Sequence, residues 1–536
     1  MPEPVAKKSR SKLRLTRAHF AAVVGVILAA GLGWFFQTFR AGSPLKQKSY
    51  DLLHIWRGDL KTDEAFVVYL DEQSHQELGQ PFNAPWDRKL HAQLVDRLTR
   101  GGARAIVFDI VFSDPMPAAD PLFAAAMKRH GKVILAADNI QLSNGDSQFV
   151  RACDELLDAA AGFGSAERVP DPDLVVRRHT PRDKDSLVGI LGWATAELVE
   201  VSITKAPGAE TEVRWLNYYG RPNFIPWLSY HKVLKSSESA DLGVSNKVVF
   251  VGARIQTKFA GDRKDEFPSP FGSFENKPVF MAGVEIQATE FLNLARGDWL
   301  RRLSFATEEW LVLLLGALCG GGLVFLRPSR ASLVAAGLLG LLLWASLYFF
   351  KQRLIWFPWI IVAIQIVVSL AWSVLFNSVQ LYVQKRLFEF TLGLYLSPKL
   401  VAKFSHSPEL LKPGAEKQRL TLLFSDIADF TKVSEKMDSD ELAAMMNEYF
   451  QGAVGSCIHR TDGTVVKYIG DAIFALWNAP EHQADHAARA CAAALHFREL
   501  SKAPVRGHSL HTRIGLHTGV ANVGNFGSED RVQSCR

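Results

Sequence analysis

Cysteine is scarce and badly placed for structural chemistry. The five residues, Cys153, Cys319, Cys457, Cys491 and Cys535, include no pair at a metal-ligand spacing and form no disulfide framework. That excludes a zinc-ribbon module and a disulfide-stapled scaffold, and it gives no sign of redox control. A basic stripe across a folded segment is also missing. The net charge of +6 is modest for 536 residues, and much of the excess sits in the first twenty. Nucleic acid is therefore not an expected partner.

A chain of this length exceeds one ordinary core, so at least two folded units are expected. Hydrophobic residues make up 48% and charged residues 22%, a globular balance that hides any membrane segment by composition alone. Their distribution reveals it. An apolar run, Phe20 to Phe36, follows the basic stretch KKSRSKLRLTR, and three more lie close together at Trp310 to Leu326, Ala331 to Phe350 and Leu354 to Phe376. Each approaches the roughly 20 residues needed to cross hydrocarbon. Charge placement orients them, because positive loops stay in the cytoplasm. Lys7, Lys8, Arg10, Lys12, Arg14 and Arg17 keep the N-terminus inside, and RPSR and the Lys385–Arg386 pair return inside. The loop KQRLIWFP is placed outside, although its Lys351 and Arg353 run against the rule.

The expected plan is a multi-pass membrane protein held in lipid. Residues 1–19 form a basic cytoplasmic arm, 20–36 an uncleaved anchor helix and 40–305 an outer domain. Residues 310–326, 331–350 and 354–376 form three further transmembrane helices, 377–417 a helical connector and 418–536 a cytoplasmic domain.

In the outer domain, AFVVYLD, ARAIVFDIVF, KVILAAD and NKVVFVGA read as strands. Helix-like stretches WDRKLHAQLVDRLTRGG and DPLFAAAMKRHG alternate with the first three, the rhythm of an α/β sheet with parallel strands. Gly101, Gly102 and Gly131 suit helix C-terminal caps. Asp71 and Asp109 end two strands, where open α/β sheets bind ligands, and where aspartate equally caps the next helix or turn. The segments YDLLHIWRG, VVYLDEQS, APWDR, GGARAIVFDIVFSDP, KVVFVGA and MAGVEIQATEFLNLARGDWL resemble the CHASE (type 2) family of extracellular sensory domains. The resemblance implies sensing of an unidentified external stimulus, and it suggests a bacterial inner membrane. Residues 145–240 offer no anchor for it.

After the connector, LTLLF reads as a strand ending at Ser425 and Asp426, with Asp429 just beyond. An amphipathic helix from about Ser439 to His459 follows, then VVKYIGDAIFALW as two strands joined at Gly470 and Asp471. The alanine-rich ADHAARACAAALHF reads as a helix, and HTRIGLHTG as one more strand. The order β-α-β-β-α-β is the ferredoxin-like α+β arrangement, in which a strand end and the adjacent hairpin turn lie side by side. Asp426 and Asp471 would then converge, and two convergent carboxylates suit divalent cations that hold a triphosphate.

FSDIADFT, KYIGDAIFA and RIGLHTG, in that order, resemble the class III adenylate and guanylate cyclases, and the diguanylate cyclase hairpin signature is absent. The resemblance implies two Mg2+ or Mn2+ ions held by Asp426, Asp471 and the Ile427 carbonyl, with Phe430 and Thr431 in the turn around the phosphates. Arg513 matches a phosphate-contacting arginine, or is an ordinary charge beside a strand. Lys467 is the base-selecting position; an ammonium donates to adenine N1, an acceptor, so ATP is the expected substrate. Family active sites lie between two catalytic domains, which implies a homodimer.

Beyond RIGLHTG the chain reads GVANVGNFGSEDRVQ and then SCR, with Ser534 and Cys535 where the family carries a tyrosine and a second base-reading residue. The later asparagine and arginine of the family motif are not found, so the catalytic domain reads as C-terminally incomplete. A frameshift or premature stop would produce this departure. The alternatives are a catalytically impaired membrane sensor whose cyclase segment only binds nucleotide or a partner, and a guanylate cyclase.

Overall fold

The computed structural model describes residues 17–82, 84–141, 147–182, 188–255, 265–274, 279–393, 414–479, 481–528 and 531–535. The basic residues before Arg17, and much of the expected connector, lie outside the described residues. The chain divides into two units, Met1–Asn377 and Ser378–Arg536.

The first unit holds a seven-stranded sheet. Ala65–Asp71 lies next to one edge, parallel to Val248–Arg254 on one side and to the edge strand Trp227–Ser229 on the other. Val248–Arg254 pairs in parallel with Ala105–Asp109, which pairs in parallel with Val133–Gln141. Gly162–Ser165 joins Val133–Gln141 in parallel, whereas Ser147–Val150 joins it antiparallel. The expected parallel α/β sheet is therefore present. AFVVYLD and AIVFD are apolar at nearly every position because both faces are covered. Val68, Leu70, Ile106 and Phe108 pack under the Arg88–Arg100 and Asp120–His130 helices. Val67, Tyr69, Val107 and Phe250 pack under the Leu191–Leu198 and Gly283–Arg296 helices. Gly252 is required at that second interface, since a Cβ there would stand 2.6 Å from the Cβ of Val284.

Four helices, the last of which runs past the end of the first unit, are long and apolar enough to span a membrane: Arg17–Thr38, Phe305–Phe325, Pro328–Arg353 and Trp359–Thr391. Gly25 and Gly320 let the first two touch through backbone; a Cβ on Gly25 would lie 2.2 Å from the Gly320 carbonyl oxygen. Gln365 donates to the carbonyls of Ala29 and Val312, both at 3.0 Å, and Trp372 donates to Ala21 at 2.9 Å. Such bonds satisfy polar groups where water is absent.

The fourth long helix starts at Trp359 rather than at Leu354. Leu354 takes the left-handed conformation and caps the preceding helix. Ile355–Trp356 then forms a short parallel strand with Arg301–Arg302. An apolar run thus divides between a helix and a strand because Pro358 starts a helix more readily than it continues one.

The second unit holds a five-stranded antiparallel sheet in the order Thr464–Ile469, Ala472–Trp477, Gly414–Ile427, Thr512–Ser528, Arg531–Cys535. Its first four strands have the ferredoxin-like order. One face is covered by Ser439–Gln451 and His486–Leu500, through Leu423, Met445, Tyr449, Trp477, Ala490 and Phe497. The expected helix to His459 changes at Gly452–Ile458 into a wider π-type turn, where two glycines relax the backbone. The opposite face carries Phe424 stacked on Phe474, with centroids 4.3 Å apart, and Phe424 is 48% exposed.

Candidate active site

Strand alternation decides which side chains share the open face. On Gly414–Ile427, Leu423 and Ser425 point into the core, while Phe424 and Asp426 point the other way. Asp426 is exposed and sits directly across from Arg513 on the neighbouring strand. Ile427 is buried, so its side chain anchors the strand end while its backbone faces the hairpin.

The Thr464–Ile469 and Ala472–Trp477 strands turn at Gly470, whose φ of 63° favours glycine, and Asp471 follows. The Asp471 carboxylate accepts a hydrogen bond from the Ile427 backbone N–H at 3.0 Å. This bond brings the strand end and the hairpin turn together, as the motif spacing implied. A bulge between Val465 and Lys467 sets the register in which exposed Lys467 lies opposite Phe474. Lys467 thus shares the open face with Phe424 and Asp426.

After Ile427 the chain bends through Asp429 in the left-handed conformation, and the short Phe430–Ser434 helix begins. Phe430 is half-buried against the core, and Thr431 is exposed. A hydrogen bond from Lys432 at 2.9 Å holds the Asp429 carboxyl below its usual range, with the nearby Lys432 and Arg513 charges acting the same way. Behind the two aspartates stands Tyr449, a residue that motif reading passed over. Its hydroxyl shares a hydrogen bond with Thr512 at 2.9 Å, and burial pushes its pKa up to about 12. The signal was there, an aromatic on the buried stripe of an amphipathic helix, but only the fold puts it behind the carboxylates.

Neither Asp426 nor Asp471 has an ion-pair partner among the described residues, and no group of three His, Cys, Asp or Glu is found there. Two carboxylates without ion-pair partners fit a cation that completes its shell with phosphate oxygens better than a closed protein cage.

In the first unit the two aspartates flagged at strand ends have structural partners. Asp71 caps the Glu72–Glu77 helix through the Ser74 N–H at 2.9 Å and accepts from the hydroxyls of Ser74 and Ser229, both at 2.5 Å. Asp109 is held by Arg168 at 3.0 Å.

Residues 21–322, more than half of the chain, match the CHASE2 domain, and residues 413–535 match the adenylate and guanylate cyclase catalytic domain. The chain belongs to the CHASE2 domain family and carries a class III adenylate/guanylate cyclase domain at its C-terminal side. Over 150 residues it is 39% identical to adenylate cyclase 1 of Rhizobium meliloti (strain 1021), covering 27% of this chain and 22% of that protein. Over 126 residues it is 33% identical to the adenylate cyclase of Anabaena cylindrica, covering 23% of this chain and 25% of that protein. The chain therefore spans a quarter or less of the length of these curated relatives. Among solved structures, the guanylyl cyclase Cya2 is similar at 36% identity and a TM-score of 0.21, over 23% of this chain and 64% of that one.

Proposed function

We propose that this chain is a receptor-type adenylate cyclase that converts ATP to cyclic AMP and pyrophosphate under the control of its CHASE2 domain. The observation that carries the reading is the Ile427–Asp471 hydrogen bond, which joins the end of the strand that carries Asp426 to the hairpin turn that carries Asp471. Two divalent cations, Mg2+ or Mn2+, held by these groups would neutralise triphosphate charge and make the ribose 3′-hydroxyl a better nucleophile toward the α-phosphorus. Phe430 and Thr431 open the turn in which backbone N–H groups orient the phosphates, and Arg513 adds a positive charge beside Asp426. Lys467 donates to adenine N1, an acceptor, whereas guanine N1 carries a proton. Its position on the open sheet face suits a homodimer in which Lys467 serves the partner's site.

The proposed topology has the basic N-terminal arm and the cyclase domain in the cytoplasm, the CHASE2 domain outside, and four crossings of a bacterial inner membrane between them. The domain limits follow that plan, with residues 377–417 joining the last span to the cyclase domain.

Cyclic AMP formation by membranes that contain the full chain tests the reading. Asp426→Ala is expected to lower the rate on the order of a thousandfold. A cyclic AMP signal that survives the substitution unchanged refutes it. Cyclic GMP as the main product refutes the assignment of Lys467 alone.

A further inference from the structure

Beyond the carboxyl end of the Gly162–Ser165 strand, the CHASE2 domain holds a partly open cavity of about 320 Å3. It is large enough for a metabolite of a few carbons and falls at the low end for small-molecule sites. It also lies where an open parallel sheet presents ligand sites.

Its lining combines charge of both signs with an aliphatic wall. Glu290 is 2% exposed and lacks an ion-pair partner among the described residues. Burial pushes its carboxyl up to about 7, against the pull of Arg168, so its negative charge is undercompensated. Arg168 donates to Asp109 at 3.0 Å and to the Gly283 carbonyl at 2.8 Å, and its Nε is left without an acceptor. His179 is buried with both ring nitrogens unpartnered, and burial pushes its pKa down to about 3. It is therefore a neutral ring with one donor and one acceptor to offer. Arg178, half-exposed at the rim, pairs with Asp171 at 2.8 Å and lies over the Trp215 ring. Val176 and Ile190 supply aliphatic surface.

We propose that this cavity binds a zwitterionic amino acid with an aliphatic side chain. The ligand's ammonium would meet Glu290, its carboxylate would meet Arg178 and the unpartnered donors of Arg168 and His179, and its side chain would cover the valine and isoleucine surface. A phosphorylated ligand brings two negative charges toward Glu290 and Glu167, and a sugar brings no cation to Glu290 and leaves the aliphatic wall unanswered. The proposal stands on the CHASE2 domain alone and is independent of the catalytic reading.

The test uses the full chain in detergent micelles, titrated with L-valine, L-leucine and L-isoleucine while tryptophan fluorescence is recorded. Isopentylamine and 4-methylpentanoate, the two halves of leucine, serve as controls. At least one amino acid is expected to give a saturable change at a concentration about tenfold or more below that of either half. Glu290→Gln is expected to weaken that binding about tenfold or more. Arg178→Ala, which removes a half-exposed side chain at the rim, should weaken the amino acid and 4-methylpentanoate but leave isopentylamine unaffected. The proposal is overturned if none of the three amino acids gives a saturable change, or if either half binds as tightly as the whole. Unchanged amino-acid affinity in Arg178→Ala also overturns it.

Discussion

Glu285→Gln should change how the stability of the CHASE2 domain depends on pH. Glu285 is 2% exposed; its carboxylate accepts the Asn223 N–H at 2.9 and 3.0 Å and the Tyr69 hydroxyl at 3.2 Å. Burial outweighs these bonds and raises its pKa from 4.5 to about 7. Between those values the folded protein holds a proton that the unfolded chain has released. Stability therefore falls as pH rises, by about 1.4 kcal/mol per pH unit, and levels off above the folded value. Across the window the loss is roughly 3 kcal/mol. The glutamine variant keeps an acceptor for Asn223 and has nothing to titrate. His91 and His179, both pushed down to about 3 by burial, titrate in both proteins and cancel in the difference. Thermal unfolding of the full chain in detergent, followed by tryptophan fluorescence from pH 4.5 to 8, reads that difference. The variant is expected to gain on the parent through the window by about 5 °C, for a domain of this size, and then to hold level. Two curves that stay parallel across the whole range would refute the reasoning.

Three further substitutions probe other parts of the framework. Trp356→Ala removes a ring that is 1% exposed and wedged against Tyr50 and Trp215, and should destabilise the first unit by about 3–5 kcal/mol, read as a lower unfolding temperature. Gly320→Leu forces apart two helices whose backbones touch at Gly25; it should cost about 1–3 kcal/mol, and a cross-link engineered between those helices should form more slowly. Asp120→Ala strands the Arg88 guanidinium, whose side chain is 3% exposed and 3.2 Å from that carboxylate, and should cost about 3–5 kcal/mol by chemical denaturation.

The alternation of β-branched runs with amphipathic stretches was enough to read the four main strands of the sheet, because each of these is covered on both faces and its sequence shows it. The meeting of the Ile427 strand end with the Asp471 turn was legible for a different reason: motif order fixed a topology, and topology fixed the neighbourhood. Three features were not legible. Ile355–Trp356 is a two-residue strand that exists only because Arg301–Arg302 lies beside it, and hydropathy assigns the pair to a membrane helix. Residues 145–240 gave no anchor, and one of their buried clusters is charged. Arg177, 1% exposed, joins Asp51, Asp171 and Asp173, and no periodicity marks that cluster. The cavity beside Glu290 gathers residues from separate loops and helices, so neither a period nor a motif could point to it.

These same illegible pieces form the junction between the sheet and the long helices. Trp356 packs on Trp215 with ring centroids 4.6 Å apart and on Tyr50 at 5.5 Å. The Arg302 guanidinium lies over both tryptophans and pairs with Glu308 at 2.8 Å, in the first turn of the second long helix. Tyr50 belongs to Ser43–Arg57, the helix that follows the first long one, and the neighbouring Ser49 accepts from the Trp359 indole at 3.1 Å. Trp359 opens the fourth long helix, which runs unbroken to Gly393. Arg178, at the cavity rim, also lies over the Trp215 ring. A packed aromatic cluster moves as discrete pieces and does not deform smoothly. Any rearrangement of the cavity rim that displaces Trp215 must therefore be taken up by Trp356, one short turn from the start of the fourth long helix. The cluster links Trp215 to the short strand just before the fourth long helix.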